Sequence, residues 1–506
     1  MLRKIRITLA CVCFVLLTLL FLDFTGTLHH YLGWMAKIQF LPAVLALNIG
    51  VILLLVVLTL LFGRTYCSVI CPLGVMQDVF ARIGKKQKKN RYTWSPAKTI
   101  LRWTVWGIFV LAVILGIGSV VALLDPYAAY GRIAQNLLSP LWRWGNNLMA
   151  LIAERAGSYA FYSTDVYLKN LPTFIIAALT LTVLAVLAWR NGRTYCNTVC
   201  PVGTTLGFLS RFSWMRPVID KEKCISCKLC EKNCKASCIH IDEQSIDYSR
   251  CVVCMDCIDK CPKQAISYAP HRRSKAAPAA VQEVTAATAT EDSATAKSGK
   301  EGMDRREFLT LTAALTGAAA LEAQTKTVDG GLAAIQDKKA PKRQTPIVPP
   351  GAFGIRHLSK HCTGCQLCVS ACPNHVLRPS TDLQHLMQPV SSYEKGYCRP
   401  ECTRCSEVCP TGAIRPISRA EKSSVQIGHA VWVKENCIPL ANGDTCGHCA
   451  TVCPVGAITM VRHESGVMVP AVNDFHCIGC GACENLCPAR PFPAIYVEGH
   501  EMHKTL

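Results

Sequence analysis

Four long apolar runs, separated by polar loops, dominate the first 200 residues: about Ile7–Leu22, Pro42–Phe62, Ile100–Leu124 and Pro172–Trp189. Each approaches or exceeds the roughly 20 residues a helix needs to cross the hydrocarbon core, so four transmembrane helices are expected. The first run is short, but Phe24 and Leu28 can extend it beyond Asp23, and no small-residue cleavage site follows, which favours an anchor over a cleaved leader. Arg3, Lys4 and Arg6 precede this run. The 63–99 loop holds Lys85, Lys86, Lys88, Lys89 and Arg91, whereas 23–41 holds only Lys37. By the positive-inside rule both ends of the block lie in the cytoplasm.

The block repeats itself. Gly63-Arg64-Thr65-Tyr66-Cys67-Ser68-Val69-Ile70-Cys71-Pro72 returns 129 residues later as Gly192-Arg193-Thr194-Tyr195-Cys196-Asn197-Thr198-Val199-Cys200-Pro201. Leu22-Asp23 and Leu124-Asp125 close the first run of each copy, so the second copy carries about 27 extra residues near Arg132–Lys169. Two helix pairs in the same orientation imply a pseudo-twofold axis along the membrane normal, with the two C-x3-C-P loops facing each other. Their four thiols, Cys67, Cys71, Cys196 and Cys200, can hold iron or form redox dithiols. Asp23, His29, His30 and Asp125 flank the apolar runs and are candidate proton acceptors, because ionisable groups there are costly without a role. Tyr127 and Arg132 rank below them.

Beyond residue 215 the pattern changes to cysteine groups. Cys224, Cys227, Cys230 and Cys234 are followed by Cys251, Cys254, Cys257 and Cys261-Pro262. This is two-cluster ferredoxin spacing, in which the fourth cysteine of each group serves the other cluster. Cys224, Cys227 and Cys230 are therefore assigned with Cys261, and Cys251, Cys254 and Cys257 with Cys234. Structural zinc prefers paired C-x2-C knuckles and has no use for a triple with a remote fourth. Four further groups follow: Cys362, Cys365, Cys368, Cys372; Cys398, Cys402, Cys405, Cys409; Cys437, Cys446, Cys449, Cys453; and Cys477, Cys480, Cys483, Cys487. Each fourth cysteine precedes proline. Regular spacing in the outer two groups and stretched spacing in the inner two suggest nesting, first with fourth and second with third. Six [4Fe-4S] clusters would use 24 of the 31 cysteines. Besides the C-x3-C-P thiols, this leaves Cys11 and Cys13, read as lipid-facing or packing residues, and Cys238, read as a spare packing thiol.

Formal charge is +20, from 54 basic and 34 acidic residues. The basic residues crowd beside the apolar runs and no nucleic-acid-binding signature accompanies them, so the excess reads as membrane topology with no nucleic-acid partner. No C-x2-C-H haem site, no G-x-G-x-x-G opening a βαβ unit and no Walker motif occurs. Residues 273–302, rich in Ala, Thr, Ser and Lys, read as a solvated linker, and 324–350 as a second. Between them, Met303-Asp304-Arg305-Arg306-Glu307-Phe308-Leu309 and the apolar stretch after it look like a twin-arginine signal or anchor at 303–323.

The expected fold is therefore multi-domain: a four-helix transmembrane bundle of two parallel repeats (1–215), an α+β two-cluster ferredoxin domain (216–272) and a nested four-cluster domain (351–506). Residues 1–272 resemble NapH, and residues 303–506 resemble NapG, the ferredoxin-type subunits of the periplasmic nitrate reductase system. The second likeness includes the twin-arginine leader and Pro349-Pro350-Gly351-Ala352. The resemblance implies a quinol dehydrogenase of the inner membrane, with 216–302 cytoplasmic and 324–506 periplasmic. It would draw on the quinone pool and pass electrons to a periplasmic reductase or its cytochrome partners. A redox assembly factor for a respiratory metalloenzyme is the competing expectation.

Overall fold

Long helices form where the apolar runs lie, and the residues at their ends explain where they stop. In the computed structural model, which describes residues 2–87, 92–270, 328–329, 333–334 and 338–506, four of them lie on those runs: Leu2–Leu22, Ile49–Phe62, Thr99–Leu115 and Leu171–Asn191. The first and last are long and apolar enough to cross a membrane, and the middle two are shorter. Two expected runs are broken. Pro42–Phe62 splits into Phe40–Leu45 and Ile49–Phe62, because Leu47 turns to φ 53° and Asn48 caps the second helix by accepting from the Val51 N–H. Ile100–Leu124 splits at Gly116, φ 73°, into Thr99–Leu115 and Gly118–Leu124.

The helices carry one cysteine domain at each end of the bundle. At one end Arg3 pairs with Asp256 and Asp259, at 2.8 and 3.0 Å. There too Leu60 accepts from the Trp214 N–H, Arg102 donates to the Ser249 carbonyl and Lys235 accepts from the Arg193 N–H. These contacts dock residues 215–270, whose strand Met215–Ile219 pairs antiparallel with Ile266–Pro270. Gly63 and Gly192 end their helices at positive φ, where a Cβ would strike Val253 and the Lys235 backbone respectively. Asp78 ties three parts together, bonding Arg6 of the first helix, Arg193 of the second loop and Lys235 of the docked domain at 2.8–3.1 Å. Burial opposes its ionisation, but these cations outweigh burial and hold the carboxyl well below the usual range. Asp78→Ala should cost about 3–5 kcal/mol in denaturant unfolding, because it strands buried cations; a cost under about 1 kcal/mol would contradict the staple. The carboxylate's contribution is present above the ordinary Asp pKa and fades as pH falls through and below it.

At the other end Asn170 donates to the Pro379 carbonyl, Asn136 to Gln366 and Arg404 to the Thr25 carbonyl, at 2.9–3.1 Å. One apolar core runs from Leu17, Phe21 and Tyr127 of the bundle into Leu358, Leu367 and Ile414 of this domain. Its strand Val425–Trp432 pairs with Ile495–Thr505. Ahead of residue 351, Ile347 and Val348 are buried, and Ala340–Leu506 belongs to the same compact unit as Met1–His271. A separate unit, 272–339, is described only in part, including the short ladder Val328–Asp329 with Ala333–Ala334. The 273–302 linker, the Arg305-Arg306 segment at 303–323 and Lys88, Lys89 and Arg91 lie outside the described residues. Between the two docked domains the outer helix faces remain apolar and exposed, as at Leu9, Val12, Leu53, Ile108, Leu111, Leu179 and Val183.

Candidate iron–sulfur centres and the junction between them

Each cysteine group wraps a short loop and then starts a helical turn, so three thiols line one pocket and the fourth reaches a neighbour. Cys224, Cys227, Cys230 and Cys261 line one pocket, and Cys254 and Cys257 lie within electrostatic reach of Cys234. Spacing predicts only a packing role for Cys238. Its sulfur instead lies 3.5 Å from that of Cys234 and also contacts Cys251, making it a fifth thiol at this group.

In the larger domain the nested pairing is wrong. Cys372 lines a pocket with Cys398, Cys402 and Cys405, while Cys362 and Cys368 face Cys409. Cys437, Cys446 and Cys449 line a pocket with Cys487, and Cys477 and Cys480 face Cys453. The first group therefore pairs with the second and the third with the fourth. Helix Leu367–Ala371 packs on Arg404–Val408, and His448–Thr451 on Ala482–Leu486. Sequence neighbours lose less loop-closure entropy than a nested arrangement, and the long Cys437–Cys446 gap is taken up by the helix Ile438–Ala441. The two modules touch where the Cys398 N–H donates to the Cys480 carbonyl, 2.9 Å.

The pockets suit cubanes. Backbone N–H groups point at the fourth sulfurs: Ala265 to Cys261, Ile414 to Cys409, Ala457 to Cys453 and Ala494 to Cys487, at 3.2–3.4 Å. Such bonds tune a cluster's potential. Burial pushes the Cys365 and Cys480 thiols up to about 12, and Cys230 and Cys449 up to about 11. Thiolates there need a metal's positive charge.

The candidate proton acceptors separate. Asp23 and His29 form a buried pair, His29 Nδ1 to Asp23 Oδ2 at 2.9 Å. Burial opposes its ionisation, but bonds from His29, Thr25 and Gly26 hold Asp23 below the carboxylate range. His29 Nε2 is buried with no partner. Arg404, between Cys402 and Cys405, donates to the Thr25 carbonyl and lies against Gly26 in the turn between these two residues. His30 is exposed and stacks edge-on with Tyr31. Asp125 caps the helix Pro126–Ile133, accepting from the Tyr127 and Ala128 N–H groups. Burial pushes its carboxyl up to about 7, against those bonds and Arg132. The infrared carbonyl band of a protonated carboxyl should therefore fade between about pH 6 and 8 and be missing from Asp125→Asn; a wild-type spectrum without it would contradict this.

Tyr127 and Arg132 sit deeper than their place in the sequence suggests. Both are fully buried, and Tyr127 lies within electrostatic reach of Asp125, Cys365 and Cys409. Their signal is faint: a tyrosine and an arginine five residues apart just beyond an apolar run. Tyr66 and Tyr195 meet the opposite side of this junction, Tyr66 donating to Gln39 Oε1 at 2.9 Å and Tyr195 to the Leu124 carbonyl at 3.3 Å.

A 4Fe-4S binding domain family matches residues 44–90 and 171–221, a 4Fe-4S dicluster domain family matches 361–413 and 443–490, and a second 4Fe-4S binding domain family matches 245–267. The methylamine utilization ferredoxin-type protein MauM of Methylophilus methylotrophus is 34% identical over 30% of this chain and 71% of its own length. The ferredoxin-type protein NapF of Escherichia coli K12 is 28% identical over 31% and 90%. The putative electron transport protein YccM of the same strain is 26% identical over 44% and 55%. Coverage of the relatives is uneven, falling to 38% and 28% of two other matched proteins. No solved structure matches. The chain belongs to the ferredoxin-type 4Fe-4S proteins, related at modest identity to iron–sulfur electron carriers.

Proposed function

We propose that the chain is a membrane-embedded electron carrier that oxidises (mena)quinol and passes electrons toward a periplasmic reductase, nitrate reductase being the example the NapH–NapG resemblance implies. In this reading the four long helices span the inner membrane. Residues 215–270 face the cytoplasm, and the domain from Ala340 faces the periplasm. The 21-residue helices are about 31 Å long at 1.5 Å per residue, enough for a hydrocarbon core. The exposed apolar belt supports the same reading, since soluble monomers rarely leave such faces bare.

Six groups would hold [4Fe-4S] clusters: Cys224, Cys227, Cys230 with Cys261; Cys251, Cys254, Cys257 with Cys234; Cys362, Cys365, Cys368 with Cys409; Cys398, Cys402, Cys405 with Cys372; Cys437, Cys446, Cys449 with Cys487; and Cys477, Cys480, Cys483 with Cys453. Bound clusters supply one-electron carriage, which splits a two-electron donor. The chain's own side chains handle the protons. His29 Nε2 accepts a quinol hydroxyl proton, and Asp23 holds the ring through Nδ1 and balances the imidazolium. The observation that carries this reading is the buried His29–Asp23 pair with His29 Nε2 unbonded, in a turn whose Thr25 carbonyl accepts from Arg404 of the Cys402–Cys405 segment.

Sidedness tests it. A reporter that matures only outside the cytoplasm should be active when fused after Leu506 and inactive when inserted after Pro270. Equal activity at both positions would overturn the spanning arrangement.

A further inference from the structure

The C-x3-C-P thiols are not used by the six groups. Their sequence repeat becomes a local twofold in the structure. Arg64 Nη2 lies 3.8 Å from the Cys67 sulfur and donates to the Cys196 carbonyl at 3.2 Å. Arg193 Nη1 lies 3.9 Å from the Cys196 sulfur and donates to the Cys67 carbonyl at 2.8 Å. Each arginine thus touches the thiol of its own repeat and the backbone of the other. Gly74 and Gly203 make room, since a Cβ on either would collide with that carbonyl and the arginine. All four cysteines are about 95% buried, and both arginines are fully buried.

Charge points to a bound anionic group. Arg64 bonds Asn197, the Ser249 and Cys196 carbonyls and the Cys67 sulfur, and none of these is an acid. Its Nε and Arg193 Nη2 are buried without partners. Arg193 has Asp78 as its counter-ion, but Arg64 bonds no acid; a guanidinium taken fully out of water needs an opposite charge, and a metal–thiolate centre at Cys67 supplies one.

The thiols are also dressed as ligands. Cys71 and Cys200 stand directly before Pro72 and Pro201 and accept backbone bonds from Gly74 and Gly203, the latter at 3.3 Å. The fourth cysteines of the ferredoxin groups are bonded in the same way. No disulfide joins the four, and among the described residues no three Cys, His, Asp or Glu side chains converge tightly enough for one metal ion. The same holds of the ferredoxin groups, so this absence does not set the four thiols apart from them.

We propose that Cys67, Cys71, Cys196 and Cys200 jointly ligate one further iron–sulfur cluster, two ligands from each repeat, between the two cysteine domains. On one side Arg64 faces Cys251. On the other, Tyr66 and Tyr195 face Asp125, and Tyr127 beyond it faces Cys365. The matched 4Fe-4S family covers each half separately, but neither half has more than two of these thiols. The proposal rests on the iron–sulfur reading of the chain and not on quinol.

The full chain, prepared anaerobically, is assayed for iron and sulfide, and its thiols are mapped by alkylation and mass spectrometry. In the wild type the four thiols should resist alkylation until iron is chelated. Cys67→Ser and Cys196→Ser should each lose about four iron atoms and expose the remaining three thiols, with the 24 ferredoxin cysteines still protected. Protection of those 24 keeps this test separate from the wider iron–sulfur reading. Four thiols freely alkylated in the iron-loaded wild type, a disulfide between them, or unchanged iron in either variant would overturn the proposal.

Discussion

Replacing His29 with alanine should cut the rate at which a quinol reduces the clusters by at least about 100-fold, the usual worth of a positioned general base. Reduction by dithionite, which needs no proton acceptor, should be unchanged. His29 is singled out because Nδ1 is already committed to Asp23 at 2.9 Å while Nε2 is buried and unbonded. Asp23→Asn should lose less than His29→Ala, because it leaves the ring in place while weakening its imidazolium. His30→Ala should do nothing, since that ring is exposed. If His29→Ala keeps quinol rates within about threefold of wild type, the pair is structural and the site lies elsewhere.

Cys409→Ser should remove the cluster held by Cys362, Cys365 and Cys368, although Cys409 ends the next cysteine group. The variant should lose about four iron atoms, and those three thiols should become alkylatable while Cys398, Cys402 and Cys405 stay protected. Nested pairing would instead expose Cys437, Cys446 and Cys449. Cys362 and Cys368 face Cys409, and Cys372 shares a pocket with Cys398, Cys402 and Cys405, so the sequential pattern is expected. A larger consequence follows if the Cys362 group is the one that faces the bundle through Tyr127: its loss should separate the two ends of the molecule electronically.

Much of this arrangement is legible in the residues alone. Periodic cysteines at ferredoxin spacing, four apolar runs and a close repeat around Cys67 and Cys196 each carry their own chemistry. Partner choice among the last four groups is not legible there, because spacing within a group says how three thiols wrap a corner and nothing about which neighbour sends the fourth. Symmetry of spacing is a poor guide; packing of adjacent helices decides it. The broken helices show a second limit. Leu47-Asn48 and Gly116 sit inside apolar runs, where hydropathy averages over a capping side chain and a left-handed turn. The stretch 126–138 shows a third. Part of it falls in the extra residues of the second copy, with no run or motif to mark it, yet Tyr127, Arg132 and Gln135 are buried. The His29–Asp23 pairing depends on a tight turn at Gly26, φ 82°, that brings two residues six apart together. His30, its neighbour, is exposed.

That quinol electrons reach the clusters through this chain is tested most directly by single-turnover mixing. Chain prepared anaerobically in lipid nanodiscs is mixed with a menaquinol analogue and freeze-quenched for electron paramagnetic resonance. Reduced-cluster signals are expected from quinol alone, growing toward the level dithionite produces. Clusters that dithionite reduces fully and quinol does not reduce at all would contradict the claim.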